Sequence, residues 1–195
     1  LDTLLTSIIE KWQAPEYNID IVYNTSDNEF QKGYDILISK YKDNNIVFNK
    51  ESRIKDKYSF IELLNVRNFI AYNKNKKNFT PKSNFRSLCN ELIKKDKNEY
   101  VMFLTDDAMF IENVNIEKGI LDWIKANPNK RQFSLRMGEG MNKQGKQVRK
   151  EGNYMYWEFH KNPRNTNWGY PFSVDAHIYH KETVMKLFSK YIFCN

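Results

Sequence analysis

Cysteine is scarce in this chain of 195 residues: there are two, Cys89 and Cys194. Neither has a Cys or His partner at metal-ligand spacing, and a lone pair makes no disulfide framework. A reducing compartment, the cytoplasm, is the default expectation. Long apolar runs are missing too: none approaches the ~18 residues needed to cross a bilayer, and no signal peptide is visible. No Gly-x-Gly-x-x-Gly follows a strand pattern and there is no Walker loop; Gly138-Glu139-Gly140 is too short to count. This disfavours a Rossmann dehydrogenase and a P-loop NTPase. Helix-turn-helix, RNP-type and zinc signatures are also lacking, so no nucleic-acid partner is expected.

What is present points to a folded domain. Hydrophobic residues make up 41% and aromatics 15%, which argues for a packed core and against disorder. One domain, 1–195, is large enough to bury about 70% of its extended-chain surface. The net charge of +7 suits an anionic partner: nucleic acid, nucleotide or an acidic lipid surface. A general richness in Lys, Asn and Ile explains the same charge without any partner.

Taken in order, Leu1, Leu4, Leu5, Ile8, Ile9 and Trp12 recur at helical spacing, and Pro15 ends that helix. Opening on a core helix suggests that a first strand precedes it. Ile19–Tyr23 reads as a strand, Phe30 to Tyr41 as a helix and Ile46-Val47-Phe48 as a second strand. Residues 51–57 are charged and expected on the surface, and 58–72 fits a helix. Residues 73–78 read as a basic loop, with Thr80-Pro81 starting a helix that carries Phe85, Leu88, Cys89, Leu92 and Ile93 on one face. Arg86 and Asn90 fall off that stripe. A helix at 116–126, a strand at 132–137, a basic loop or lid at 138–152 and a strand at 154–159 follow. The chain closes on an aromatic loop at 160–171, a strand at 176–180 and a helix at 182–191. Alternating strands and helices predict an α/β domain with a mainly parallel sheet that turns mixed in its later half.

The chain is organised around Tyr100-Val101-Met102-Phe103-Leu104-Thr105-Asp106-Asp107. An unbroken apolar run reads as a strand covered on both faces. Two adjacent carboxylates then stop it. In open α/β sheets ligands sit beyond the carboxyl ends of strands, and paired acids there suit a divalent cation and, through it, a phosphate. A surface turn in which one acid caps the next segment is the plainer alternative.

A strand running into Phe-Leu-Thr-Asp-Asp resembles the aspartate motif of glycosyltransferases with the GT-A fold. The helix residues Lys82 to Asn90 resemble the helix before that motif in family-2-like members. Tyr23-Asn24-Thr25-Ser26 sits where those enzymes hold the nucleotide base, and 168–179 looks like their late acceptor-side region. Thr105 departs from the pattern, since the usual motif carries an acid there. The resemblance implies a three-layer αβα domain that moves a sugar from a nucleotide-diphosphate donor to a glycan or lipid-linked acceptor. Acceptors of that second kind, together with the basic charge, suggest peripheral association with the inner face of a membrane.

In such an enzyme Mg²⁺ or Mn²⁺ would neutralise charge on the leaving diphosphate. The resemblance assigns Asp107 to the metal and Asp106 to the ribose or a metal-bound water, with His177 completing the shell or simply packing as a half-buried structural residue. Arg86 would reach the diphosphate or sugar, or remain a solvated helix charge. Tyr23 would stack on the base and Thr25 bond to it; Tyr23 is equally an ordinary strand-end aromatic. An inverting reaction needs a general base. Asp175 is the first candidate and Glu139 the second, each otherwise a turn carboxylate. Trp157, Trp168 and Tyr170 could floor a sugar site, although core packing accounts for Trp157 too. A domain of this fold that binds without catalysing is one alternative, for which Thr105 speaks, and a basic nucleic-acid-binding module is the other.

Overall fold

Strand β4 (Tyr100–Phe103) lies against the reversed strand β9 (His177–His180), and β9 pairs on its other side with the short β6 (Phe133–Ser134). The computed structural model describes residues 1–52, 54–74, 81–141, 147–164 and 166–193. Strand alternation divides β4 and β9 between two cores. Tyr100, Met102 and Ile178 pack with Val114, Ile116 and Ile124, under helix α6 (Lys118–Ala126). Val101, Phe103 and Tyr179 pack with Ile93 and Val184, from helices α5 (Phe85–Lys95) and α7 (Lys181–Lys190). This sheet therefore carries helix on both faces, and the expected doubly covered strand is present.

The N-terminal part supplies α1 (Asp2–Lys11), β1 (Trp12–Ala14), β2 (Ile19–Tyr23), α2 (Asn28–Lys40) and β3 (Ile46–Lys50). Strands β2 and β3 pair in parallel around α2, in the expected strand–helix–strand order. Helix α2 starts where Asp27 accepts hydrogen bonds from the N–H groups of Glu29 and Phe30, at 2.9 and 3.1 Å. That cap satisfies amide donors the helix itself cannot. Helix α1 is tied to the end of α2 by Tyr41, whose hydroxyl donates to the Asp2 carboxylate at 2.6 Å.

Several expectations need correction. The described residues form four small sheets instead of one mainly parallel sheet. Two are parallel, β2–β3 and β1 with β5 (Val114–Asn115); β4-β9-β6 is antiparallel, as is the hairpin β7–β8 (Val148–Glu151, Tyr154–Trp157). The architecture is mixed α/β. The single helix expected over 58–72 is two, α3 (Phe60–Leu64) and α4 (Val66–Lys74), because Asn65 turns extended at φ −65°, ψ 118°. Ser59 and Glu62 form a capping box that starts α3. Glu51, expected on the surface, is buried and bonded to Ser83. Part of the lid segment is strand β7. Thr80, the basic loop at 75–78, residues 142–146 and Cys194 lie outside the described residues. No described helix is long and apolar enough to cross a membrane.

Candidate functional site

Because β9 is reversed, its entry lies at the sheet end where β4 and β6 leave. Phe103 stands opposite His177, and Ser134 flanks His177 on the other side. Ala176 fastens this rim: its N–H donates to Phe103 O at 2.9 Å, and its carbonyl accepts from Leu135 N–H at 2.9 Å. It does so with φ +55°, the left-handed region that costs a non-glycine residue about 1–2 kcal/mol. Both flanking residues, Asp175 and His177, were singled out from the sequence.

Beyond β4 the chain makes a turn with Asp106 and Asp107 at its centre, closed by Ala108 N–H donating to Thr105 O at 3.1 Å. Thr105, Asp106 and Asp107 are all exposed, outside any helix. Burial, chiefly, raises the phenol of Tyr34 in α2 above the usual tyrosine value, and the negative charge of Asp106 adds to that. Tyr34 in turn stacks on Tyr23, with ring centroids 4.1 Å apart and planes 20° from parallel. Tyr34 therefore covers the residue that ends β2. Its position on the second turn of an amphipathic helix gave no signal beyond packing.

Tyr23 is buried between Tyr34 and Phe48, so its face is already covered and it is no open platform for a base. Thr25 is half-buried in the loop after β2, its N–H bonded to Asn24 Oδ1 at 2.8 Å and its hydroxyl to Gln31 Oε1 at 3.4 Å.

Arg86 is held within the fold by its own partners. It is 9% exposed, one of two buried residues of α5, so the alternative of a solvated helix charge is corrected. Its guanidinium pairs with Glu62, donates to Phe188 O at 3.0 Å, and packs on the rings of Tyr58 and Phe193. A cation so committed is not available to a diphosphate. Its partner is 24 positions away, which a reading of local pattern does not reveal. Burial alone would raise Glu62, but hydrogen bonds from Arg86 and Ser59 prevail and hold it below the usual glutamate value. Cys89 on the same helix is half-buried, its thiol pushed up to about 12, chiefly by burial.

The rim's cation is Arg136, not foreseen from sequence. Its Nη1 donates to Asp175 Oδ2 at 2.7 Å, and its Nη2 to Asn167 Oδ1 at 3.3 Å. The Arg136–Asp175 pair is about 40% exposed on each side, so it is worth no more than about 1 kcal/mol and can exchange partners readily. Glu139 is exposed and paired with Lys150 of β7, whose hydrogen bond holds its carboxyl below the usual value.

His177 is 2% exposed, more deeply buried than a half-buried residue. Its Nε2 is 2.9 Å from Ser134 Oγ, which also accepts from the N–H groups of Arg136 and Met137, at 3.2 and 3.1 Å. With both lone pairs of that oxygen occupied, its hydroxyl proton goes to Nε2, which leaves the ring proton on Nδ1. Nδ1 is buried with no hydrogen-bond partner. Burial, then the charge of Arg136, pushes this imidazole down to about 4. The ring is neutral at pH 7, as a metal ligand must be, but the Ser134 contact already occupies one nitrogen. Among the described residues no group of three or more His, Cys, Asp or Glu side chains stands together as a ready cation cage.

The aromatic residues divide. Trp168 is buried edge-on to Trp157, with centroids 5.2 Å apart, and Tyr170 is exposed. Gly169 sits hard against the Pro163 carbonyl. Two cavities, of about 520 and 460 Å³, lie near Trp12 and Tyr17 and between α1 and Met109–Ile111; neither is lined by Asp106 or Asp107.

The structure thus brings Asp106, Asp107, Asp175 and His177 to one sheet end and leaves Arg86 bound to Glu62 and Phe188 O. No protein-family model matches the chain, and no curated protein or solved structure matches it.

Proposed function

We propose that this domain is a metal-dependent glycosyltransferase of the GT-A type, moving a sugar from a nucleotide-diphosphate donor to a glycan or lipid-linked acceptor. The observation that carries the reading is the exposed Asp106-Asp107 turn at the exit of β4, with the Asp175–His177 segment paired alongside it. The helices on both faces of β4-β9-β6 are what a three-layer domain requires. The donor set fits Mg²⁺ or Mn²⁺, which need only one or two protein carboxylates when phosphates supply the remaining oxygens. When bound, such an ion neutralises charge developing on the leaving diphosphate.

The chain's own residues then divide the remaining tasks. Asp107 is the metal carboxylate, and Asp106 serves the ribose or a metal-bound water. The anomeric carbon–phosphate oxygen bond breaks, the acceptor hydroxyl bonds to that carbon, and its proton passes to Asp175. Arg136 holds that carboxylate in place from across the rim. His177 braces the rim from below through Ser134. Thr25 remains a donor-side contact at the end of β2. Glu139, exposed and held by Lys150, is the weaker base.

A second reading, binding of the same donor without turnover, is favoured by the engagement of Asp175 with Arg136. A screen of nucleotide sugars for metal-dependent release of nucleoside diphosphate decides between them. Turnover with one donor, lost in Asp175→Asn, supports the transferase; saturable binding with no turnover on any donor supports the second reading.

A further inference from the structure

Helices α3 and α4 (Phe60–Leu64 and Val66–Lys74) bury a polar residue and expose apolar ones. Asn68 is 2% exposed and joins Glu62 O and Lys190 O, each at 2.9 Å, while Ile192 N–H donates to its side chain at 3.3 Å. Glu62 is held by Arg86. The apolar residues point outward: Ile61 is 79% exposed, Leu64 62%, Val66 70% and Phe69 57%, with Ile54 and Ile70 beside them. Helical geometry places Val66, Phe69 and Ile70 on one side of α4 and Asn68 and Tyr72 on the other. Scattered exposed apolar residues need no explanation, but exposed apolar residues recurring over two consecutive helices point to a contact surface.

The charges around this set identify what it contacts. Between residues 54 and 74 the acids are Asp56 and Glu62, and both are committed inward. Asp56 caps α5 by accepting from the N–H groups of Arg86 and Ser87, at 2.8 and 3.1 Å. The cations Lys55, Lys57, Arg67 and Lys74 are all exposed. An apolar strip rimmed by outward lysine and arginine, with its carboxylates withdrawn, is complementary to an anionic bilayer surface. Apolar side chains enter the acyl boundary while the cations meet the headgroups.

We propose that the α3–α4 face docks this protein on anionic lipid membranes. The proposal rests on a different part of the molecule from the donor site and does not depend on it.

Cosedimentation with vesicles tests it, using phosphatidylcholine alone and phosphatidylcholine mixed with phosphatidylglycerol. Binding to the mixed vesicles only, falling as salt rises, is expected. Phe69→Ser with Ile70→Ser, and separately Lys55→Gln with Lys57→Gln and Lys74→Gln, should each weaken binding about tenfold or more. Both sets change exposed side chains, so the melting temperature should hold, and donor-nucleotide binding should be unchanged. The proposal is overturned if the mixed vesicles do not bind the protein, or if either set of substitutions leaves binding intact. It is equally overturned if sedimentation velocity shows a dimer that Phe69→Ser with Ile70→Ser dissociates, since the face would then belong to a second copy.

Discussion

Phe103 and His177 stand opposite one another where β4 ends and β9 begins, and this pairing fixes what the rim can hold. Three residues after Phe103 the chain exposes Asp106, and two residues before His177 it exposes Asp175 to Arg136. The candidate metal carboxylates and the candidate base therefore depend on one short antiparallel ladder. Its pairing is set by the apolar residues on its two faces, Met102 and Ile178 on one and Val101 and Tyr179 on the other.

His177 should make the fold sensitive to mild acid. Its imidazole is held near 4 in the folded chain against an ordinary value of 6.5. The unfolded chain therefore binds the extra proton first, and stability falls as pH drops from about 6.5 towards 4. The full loss is on the order of 3 kcal/mol. Urea unfolding across that window, in the presence of a chelator, should show a slope that flattens in His177→Gln. An unchanged slope would assign the acid sensitivity to other groups.

Arg86 should behave as a fastening between α5, α3 and α7, and not as a ligand-binding group. Arg86→Met leaves the mostly buried Glu62 without its cation, at an expected cost of about 3 kcal/mol. Glu62 is held below its usual value in the fold, so its contribution is present at neutral pH and is lost as pH falls through the folded value. Chemical denaturation of the variant should show that loss, while its affinity for a nucleotide diphosphate, measured well below its unfolding temperature, should match the parent. A selective loss of nucleotide affinity with stability intact would return Arg86 to the site.

Gly169 has no room for a side chain. A β-carbon there would press on the Pro163 carbonyl, whose carbon would lie 2.7 Å away, and both groups are backbone. Gly169→Ala should cost about 1–3 kcal/mol, read as a lowered melting temperature. Because Gly169 follows the buried Trp168, fluorescence of that tryptophan should shift in the same variant.

Much of this was legible before any coordinates. The helices α1, α2, α5 and α7 announced themselves by apolar residues at three- and four-residue spacing. Strands β2, β3, β4 and β9 did so by short β-branched and aromatic runs. The placement of Asp106 and Asp107 just past β4 followed from two charges ending such a run. What escaped had physical reasons. Strand β1 and its partner β5 are two or three residues long and carry no period. Strand β7 reads Val-Arg-Lys-Glu, with three charged residues, and is held by its hairpin partner rather than by its own propensity. Arg86 looked like a surface charge because Glu62 and Phe188 come to it only in the folded chain. Helices α3 and α4 show normal amphipathic spacing, and sequence alone does not say that Ile61, Leu64, Val66 and Phe69 stay exposed while Asn68 turns inward.

The proposed transferase stands or falls on Asp107 holding a divalent ion that in turn holds a donor's diphosphate. Calorimetric titration with UDP and GDP, with and without Mn²⁺, of the parent and of Asp107→Asn measures that link. Micromolar binding of one nucleotide only when Mn²⁺ is present, abolished in Asp107→Asn at an unchanged melting temperature, is expected. Binding that ignores Mn²⁺, or that survives in Asp107→Asn, rules the metal role of Asp107 out.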